Sequence, residues 1–310
     1  MAVFPARTLV LSALAVVVTL ATAGCAGLVE GGGAVVVTET VATVTGVPVQ
    51  GGVDVPAVSA DPPPAQPAAP PHASAQTSAE AADLAAVVSV VPGPAGVALA
   101  PVGRSDQVST AGSWQSGVAW STIKVPLAVA VARTTPQALE NSASALTVSD
   151  NQAAESLWAA LGGGDAAASA VGAVLAEGGD TVSQVPSVHT RAGYSIFGQT
   201  RWSLVDQARF ASNLPCLGGA GRVVDLMGQI TPEQQWGLGR IPDARFKGGW
   251  GPGETGGYLV RQFGLVPGAG GDVAVALAVE APTFESGAAA LSSMAEALAP
   301  RLASLPGGEC

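Results

Sequence analysis

A serine and a lysine three residues apart have the chemistry of a nucleophile and its base. Ser121 and Lys124 open an apolar stretch that continues through Val129, and residues at i and i+3 of a helix share one face. The positive potential of a helix N-terminus favours a developing alkoxide and lowers the pKa of an ammonium. The spacing therefore predicts a serine nucleophile activated by lysine. An ordinary helix start with a serine cap would give the same pattern.

Two further motifs place polar groups where a substrate could bind. Ser149-Asp150-Asn151 directly precedes an apolar helical pattern, so Asp150 can cap that helix while its neighbours project into a cleft. Lys247 begins the run Lys-Gly-Gly-Trp-Gly at the end of a predicted strand. Glycines at such a place let a ligand approach the strand backbone closely.

The use of lysine gives independent support to these motifs. The chain has 13 lysine and arginine residues, and the only two lysines are Lys124 and Lys247. A compact amine can shift its pKa and accept a proton, whereas a guanidinium stays charged. The two lysines therefore stand at the two positions where this chemistry needs them.

The three motifs, in this order, resemble the Ser-x-x-Lys, Ser-Asp-Asn and Lys-Thr-Gly motifs of the serine β-lactamase and penicillin-binding protein superfamily. The resemblance to class A β-lactamases extends to residues 119–132, 147–163 and 199–214, and covers essentially the whole of residues 78–305. It implies an α+β fold, an α/β/α sandwich. An antiparallel sheet of about five strands is flanked by helices, and an all-helical lobe is inserted between its strands.

The resemblance also implies a role for each motif residue. Ser121 would attack a carbonyl carbon, Lys124 would accept the proton, and Ser149 would relay a proton to the leaving nitrogen with help from the charge of Lys247. The backbone amides of Ser121 and Trp250 would form the oxyanion hole. The substrate, a β-lactam or a peptidoglycan stem peptide, would be bound without a cofactor by Asn151, Gly249 and Trp250.

The pattern departs from class A β-lactamases at two places. Residues 181–201, where the omega loop is expected, contain no Asp or Glu to activate a deacylating water, although His189 could serve as a base. Gly248 replaces a hydroxyl residue that normally grips the substrate carboxylate. Three hypotheses follow: an acyl-transfer protein that deacylates slowly, a genuine β-lactamase, and a non-catalytic envelope lipoprotein that binds wall peptide. The complete acylation machinery favours the first.

Hydrophobic periodicity supplies the elements that must position these residues. It predicts helices over residues 79–88, 122–132, 152–161, 166–175, 204–214 and 285–303. It predicts strands over residues 96–101, 107–111, 244–250, 257–264 and 272–279.

The N-terminal quarter of the chain has the composition of an export signal and a tether. Residues 1–25 combine Arg7, an apolar run and small residues before Cys25, and resemble the signal and lipobox of bacterial lipoproteins of actinobacterial type. An ordinary signal peptide is the alternative. Residues 26–77 are rich in Pro and Ala and predict a disordered tether. The folded domain is predicted over residues 78–306, with 307–310 as a tail.

Charge and cysteine content limit the partners and the compartment. A net charge of −10 with scattered arginines argues against nucleic acid as a partner, and no His or Cys cluster has metal-ligand spacing. If Cys25 carries lipid, Cys216 and Cys310 remain as a candidate disulfide or as two free thiols. We therefore expect a monomer outside the cytoplasm, secreted or lipid-anchored to the cell membrane.

Overall fold

An antiparallel sheet forms the centre of the computed structural model, which describes residues 78–254 and 256–310. Its five strands lie in the order β2-β1-β7-β6-β5, and β3 pairs with β4 in a separate two-stranded ribbon. Neighbouring strands are antiparallel throughout. The strands of the described residues are, in chain order, β1 (Ala95–Pro101), β2 (Ser109–Gly112), β3 (Ser116–Val118), β4 (Arg201–Ser203), β5 (Arg245–Pro252), β6 (Tyr258–Gly268) and β7 (Gly271–Ala281).

Helices cover both faces of the sheet, and most of them belong to a lobe inserted between β2 and β5. The chain order places α1 before the sheet and α9 after it, so the two ends of the described chain build the sheet layer. The helices of the described residues are α1 (Ser78–Val88), α2 (Lys124–Thr134), α3 (Pro136–Asn141), α4 (Ser144–Thr147), α5 (Asn151–Ala160), α6 (Gly164–Glu177), α7 (Leu204–Asn213), α8 (Gly221–Met227) and α9 (Phe284–Leu298).

Residues of β7 alternate between large and small apolar side chains, which explains how one strand serves two cores. Val275 and Leu277 pack in a cluster with Leu291 of α9. Ala274 and Ala276 belong to a second cluster that includes the inserted lobe. Successive side chains of a strand point to opposite faces, so the branched residues meet α9 and the small ones admit the lobe.

Helix α2 is the central helix of the lobe. Its residues from Lys124 to Val131 are all buried, as expected for a helix that is apolar on every side. Burial of a side chain such as Leu127 or Val129 contributes about 1.5–3 kcal/mol. The core therefore fixes the first turn of α2, which carries the predicted lysine base.

The structure corrects several predicted boundaries. The helix predicted over 122–132 begins as a 3-10 turn at Trp120–Ile123 and becomes α-helical at Lys124. The closing helix predicted to reach 303 ends at Leu298 and gives way to a 3-10 turn that contains Pro300. Proline lacks an N–H and its ring clashes with the preceding turn, so the prediction that this helix continues to residue 303 was wrong.

The C-terminus is attached to the domain at two points. A disulfide joins Cys216 to Cys310, with their Cα atoms 5.3 Å apart, and the backbone of Gly308 exchanges hydrogen bonds of 2.8 and 3.0 Å with Asp272 at the start of β7. Residues 307–310, set apart as a tail from the sequence, thus lie against the sheet.

The signal and tether predictions, including Cys25, lie outside the described residues. Within residues 78–310, leaving out 255, no single helix is both long and apolar enough to cross a bilayer; α5 and α6 reach that length only as a sharply bent pair.

Candidate active site

The two lysines of the chain meet at the hydroxyl of Ser149. Lys124 Nζ donates to the carbonyl of Ser149 at 2.7 Å and lies 3.4 Å from its Oγ. Lys247 Nζ donates to the same Oγ at 2.9 Å. These residues come from α2, from the loop before α5 and from β5, so the fold brings together three groups that are far apart in sequence.

A strained loop conformation makes this meeting possible. Ser149 has a φ of +59°, a left-handed conformation that is uncommon for residues other than glycine and recurs at functional sites. Asp150 then caps α5 by accepting from Gln152 N at 2.8 Å, as the sequence predicts. The first residue of α5, Asn151, accepts a 2.8 Å hydrogen bond from Lys124 Nζ through its Oδ1. The whole Ser-Asp-Asn loop is therefore held around the lysine.

Ser121 lies on the 3-10 turn that precedes α2, pressed against strand β5. A Cβ atom added to Gly249 would lie 2.9 Å from the backbone nitrogens of Ser121 and Thr122 and from the carbonyl oxygen of Ala119. Real Cβ contacts are longer than this, so only glycine fits. The close approach sets the backbone amide of Ser121 beside the edge strand, as an oxyanion hole built from the two elements requires.

Burial lowers the pKa of both lysines. Lys124 is 1% exposed, and loss of hydration lowers the pKa of its amine to about 8, against the opposing charges of Asp150 and Glu155. Burial also lowers the pKa of Lys247 well below its usual value, and the nearby Lys124 lowers it further. A lysine with a pKa of about 8 is partly neutral near neutral pH, so it can accept a proton.

A cleft of about 650 Å³ opens beside Ser121. Asn151 and Glu155, one turn apart on α5, form part of its wall, and His189 contributes from the loop between α6 and β4. Four aromatic residues also line the cleft, namely Trp120, Tyr194, Trp250 and Tyr258.

Gln199 organises the loop that covers one side of the cleft. Its side-chain amide donates to the carbonyls of Arg191, Tyr194 and Ser195 at 3.0–3.2 Å. His189 Nδ1 lies 2.9 Å from the Tyr194 carbonyl; because a carbonyl only accepts, Nδ1 carries the hydrogen and Nε2 of the neutral ring is an acceptor. The loop therefore supplies an imidazole to the cleft wall, and residues 181–201 contain no Asp or Glu.

Trp236 explains the glycine at position 248. A Cβ atom on Gly248 would lie 3.0 Å from the Trp236 ring, so threonine or serine would fit there only if that ring moved. Trp236 also packs edge-to-face against Trp250 at 5.9 Å, and Trp250 lies 5.0 Å from Phe284 of α9. The ring of Trp250 thus contacts the outer helix layer, and the backbone of this residue is the part that runs past Ser121.

Arg261 lies behind the site and has a structural role. Its guanidinium is fully buried and donates to the carbonyls of Gly117, Val118 and Trp202 and to the side chain of Gln207. Burial lowers its pKa to about 9. The sequence places Arg261 near the groove and favours a solvated or structural role for it, although its partners are mainly backbone carbonyls of distant segments.

Sequence reasoning named the motif residues but missed part of the cleft wall. Trp120 and Tyr258 were not singled out, although Trp120 directly precedes the predicted nucleophile and its indole packs on Tyr194 at 5.1 Å. Glu155, expected from the sequence to lie near the groove in a solvated or structural role, lines the cleft and follows Asn151 by four residues on one helix face. Among the described residues, no group of three or more His, Cys, Asp or Glu side chains could hold a metal ion.

The sequence matches no protein-family model and none of the curated proteins, but its structure resembles solved class A β-lactamases. A mutant of the reconstructed enzyme of the last common ancestor of Gram-negative bacteria is 18% identical, with a TM-score of 0.55 over 71% of this chain and 97% of that one. The β-lactamase from Sphaerobacter thermophilus is 18% identical, with a TM-score of 0.55 over 74% and 98%.

A β-lactamase from Chitinophaga pinensis is 14% identical, with a TM-score of 0.52 over 69% of this chain and 96% of that one. In each case nearly all of the solved structure is matched by this chain. The mixed helical and antiparallel architecture predicted from the motifs is confirmed, and the chain has the fold of the class A serine β-lactamases.

Proposed function

We propose that this chain is an active-site-serine acyl-transfer protein of the β-lactamase and penicillin-binding type, which forms an acyl-enzyme on Ser121. One observation carries the proposal: the amines of Lys124 and Lys247 both reach the hydroxyl of Ser149, at the side of a cleft that Ser121 lines. This is a proton-transfer network beside a potential nucleophile. A groove that served binding alone has little use for two buried amines with lowered pKa values.

The proposed acylation step assigns a role to each of these groups. Ser121 Oγ forms a bond to the substrate carbonyl carbon while Lys124, in its neutral form, takes the hydroxyl proton directly or through water. The C–N bond of the amide or lactam then breaks, and Ser149 passes a proton to the leaving nitrogen. Lys124, which took the proton of Ser121 and lies 3.4 Å from Ser149 Oγ, restores the Ser149 proton, while Lys247 holds that hydroxyl in place. The amides of Ser121 and Trp250 would stabilise the oxyanion, and Asn151 would bind the acyl side chain.

Slow deacylation is the second part of the proposal. Hydrolysis of the ester needs a base that activates water, and the loop facing the cleft has no Asp or Glu among residues 181–201. A genuine β-lactamase is the alternative, and the Nε2 of His189 is the observation that favours it. The lifetime of the adduct distinguishes the two.

Intact-protein mass spectrometry tests both parts. Wild-type protein and Ser121→Ala are incubated with a penicillin and, separately, with para-nitrophenyl acetate as a small neutral acyl donor, and labelled peptides are mapped. We expect a persistent adduct on Ser121 in wild type only. Rapid loss of the adduct would favour the hydrolase, and equal absence of label in both proteins with both donors would leave a non-catalytic binding lipoprotein.

We also propose that the chain acts outside the cytoplasm as a monomer, anchored through lipid on Cys25. The disulfide between Cys216 and Cys310 supports this, since such bonds persist in oxidising compartments. Incorporation of radiolabelled palmitate into the wild-type chain, and its loss in Cys25→Ser, is the expected result. Label in both would refute lipidation at this cysteine.

A further inference from the structure

A network of buried hydrogen bonds runs from Arg261 to the turn that carries Ser121. Arg261 Nη2 donates to Gln207 Oε1 of α7 at 2.8 Å, and Gln207 Nε2 donates to Thr122 Oγ1 at 3.1 Å. The Thr122 hydroxyl then donates to the carbonyl of Ala119 at 2.6 Å. All three side chains are fully buried. The network therefore joins β6, α7 and the 3-10 turn before α2 inside the core.

The hydrogen bonds of this network all point in one direction. A guanidinium can only donate, so the oxygen of the Gln207 amide faces Arg261 and its nitrogen faces Thr122. The Thr122 hydroxyl accepts from that nitrogen, which leaves its own hydrogen for the Ala119 carbonyl. Hydrogen bonds aligned in this way strengthen one another in an interior of low polarity. The charge of Arg261 thus acts on the backbone of the turn through two uncharged side chains.

The turn has a conformation that must be enforced by its surroundings. Trp120, between Ala119 and Ser121, has a φ of +50°, which is uncommon for a bulky side chain and persists only where neighbouring contacts hold it. The Ala119 carbonyl belongs to the peptide that precedes Trp120. It also lies close to β5, since a Cβ atom on Gly249 would be 2.9 Å from its oxygen. The Thr122 hydroxyl fixes the same carbonyl from within the core.

The face of α7 that carries Gln207 is otherwise apolar. Leu204 and Ala211, three residues before it and four after it, share that face and are buried. A buried amide destabilises the fold unless its groups are hydrogen-bonded. Gln207 uses its oxygen for the charge behind it and its nitrogen for Thr122, so its position in the core is explained by the two groups that it connects.

From this arrangement we infer that Gln207 is a positioning residue for the nucleophile, which holds the turn, through Thr122, in the geometry in which Ser121 reacts. The inference rests on the proposed acylation of Ser121. Gln207 is not among the residues that line the cleft, so it affects the rate of bond formation without contacting the donor.

Gln207→Glu tests this role most directly, in single-turnover acylation by para-nitrophenyl acetate with the label mapped to Ser121. A carboxylate of the same shape still accepts from Arg261 but has no hydrogen to donate to Thr122. The Thr122 hydroxyl would then donate to the carboxylate, and the Ala119 carbonyl would lose this donor. We expect a folded variant that acylates about 10- to 100-fold more slowly than wild type.

Two substitutions of Thr122 test the next member of the network. Thr122→Val replaces the hydroxyl by a methyl group of similar size, and the rate of acylation should fall about as far as in Gln207→Glu. Thr122→Ser keeps the hydroxyl and should restore a rate close to that of wild type. Equal rates in the two variants would show that this hydroxyl does not position the turn.

Ser212→Ala is the matched control on the same helix. The Ser212 hydroxyl is also buried, and it donates to the carbonyl of Pro101 at 2.6 Å, at the end of β1. Loss of this buried hydrogen bond should lower the free energy of unfolding in urea but leave the rate of acylation unchanged. The control therefore distinguishes a loss of stability from a displaced nucleophile.

The outcomes separate the two proposals. A wild-type rate in folded Gln207→Glu, or an equal loss of rate in Ser212→Ala, overturns the positioning role of Gln207. Failure of the wild-type protein to become acylated at Ser121 would instead refute the proposed function.

Discussion

Acylation of Ser121 should speed up as the pH rises from 6 to 9, because the base in the proposed mechanism is a buried lysine. The pKa of Lys124 is lowered to about 8, so its neutral fraction is about 1% at pH 6, about 10% at pH 7 and about half at pH 8. The rate constant should therefore increase about tenfold per pH unit below 8 and level off above about pH 9.

The direction of the shift comes from competing contacts that can be altered one at a time. Loss of hydration lowers the pKa of Lys124, while the charges of Asp150 and Glu155 raise it. Glu155→Gln removes one of the opposing charges, so the midpoint of the profile should move to lower pH. Glu296→Gln, remote from the amine, should leave the midpoint in place.

The same lysine affects stability with a definite sign. Its pKa in the folded chain lies below the usual 10.5, so between about pH 8 and 10.5 the unfolded chain holds a proton that the folded chain has released. Stability rises with pH wherever the unfolded state binds more protons. Lys124 alone should increase the free energy of unfolding by at most about 3 kcal/mol across this window.

The assay is the pseudo-first-order formation of the adduct with para-nitrophenyl acetate, followed by rapid quench and mass spectrometry at constant ionic strength. Near-ultraviolet circular dichroism at each pH checks the fold. A profile that is flat between pH 6 and 8, or one that rises with a midpoint near 10.5, would show that a burial-shifted Lys124 is not the base. A midpoint that moves upward in Glu155→Gln would contradict the electrostatic account.

Three further predictions concern the groups that shape the site. Gly248→Thr should lower the free energy of unfolding in urea by about 1–3 kcal/mol, because its Cβ would press on the Trp236 ring at 3.0 Å; unchanged stability would contradict the packing account. Gly249→Ala should stay folded but acylate about 10- to 100-fold more slowly, since its Cβ would displace the nucleophile turn; wild-type acylation rates would show that the close approach is unimportant. Replacing Cys216 and Cys310 by serine opens a loop between residues 94 apart and should lower the free energy of unfolding by about 2–5 kcal/mol in the same urea assay, because the disulfide no longer restricts the unfolded chain. A loss below about 1 kcal/mol would contradict this explanation.

Local patterns in the sequence were sufficient to predict the long helices and strands of the fold. The apolar run after Lys124 predicts the buried helix α2, and the alternation along residues 272–279 predicts β7, because each pattern reflects burial along one element. Strands β3 and β4 have three residues each and include Gly117, so neither has enough residues to show a period. Their pairing depends on contacts between segments more than 80 residues apart.

The sequence predicted which residues form the candidate site, but only part of their arrangement in space. That Lys124 and Lys247 meet at Ser149 depends on contacts across long stretches of chain, and only the resemblance to known motifs pointed to it. The position of the Trp250 ring could have been foreseen, because strand alternation sets Lys247 and Gly249 on one face and Trp250 on the other. The local sequence around Gly248 does not predict that the ring of Trp236 fills the space beside it.

The contrast between the buried cations of this chain explains why lysine occurs at only two positions. Arg261 and Lys247 are both fully buried, yet the guanidinium keeps a pKa of about 9 and donates to several backbone carbonyls. An amine starts from a lower pKa than a guanidinium, and burial lowers the pKa of Lys124 to about 8. Arginine therefore suits positions that must stay charged and hold segments together, whereas lysine suits positions that must give up and regain a proton. A chain that otherwise uses arginine alone has placed its two lysines on either side of Ser149, where proton transfer is the function that distinguishes the two side chains.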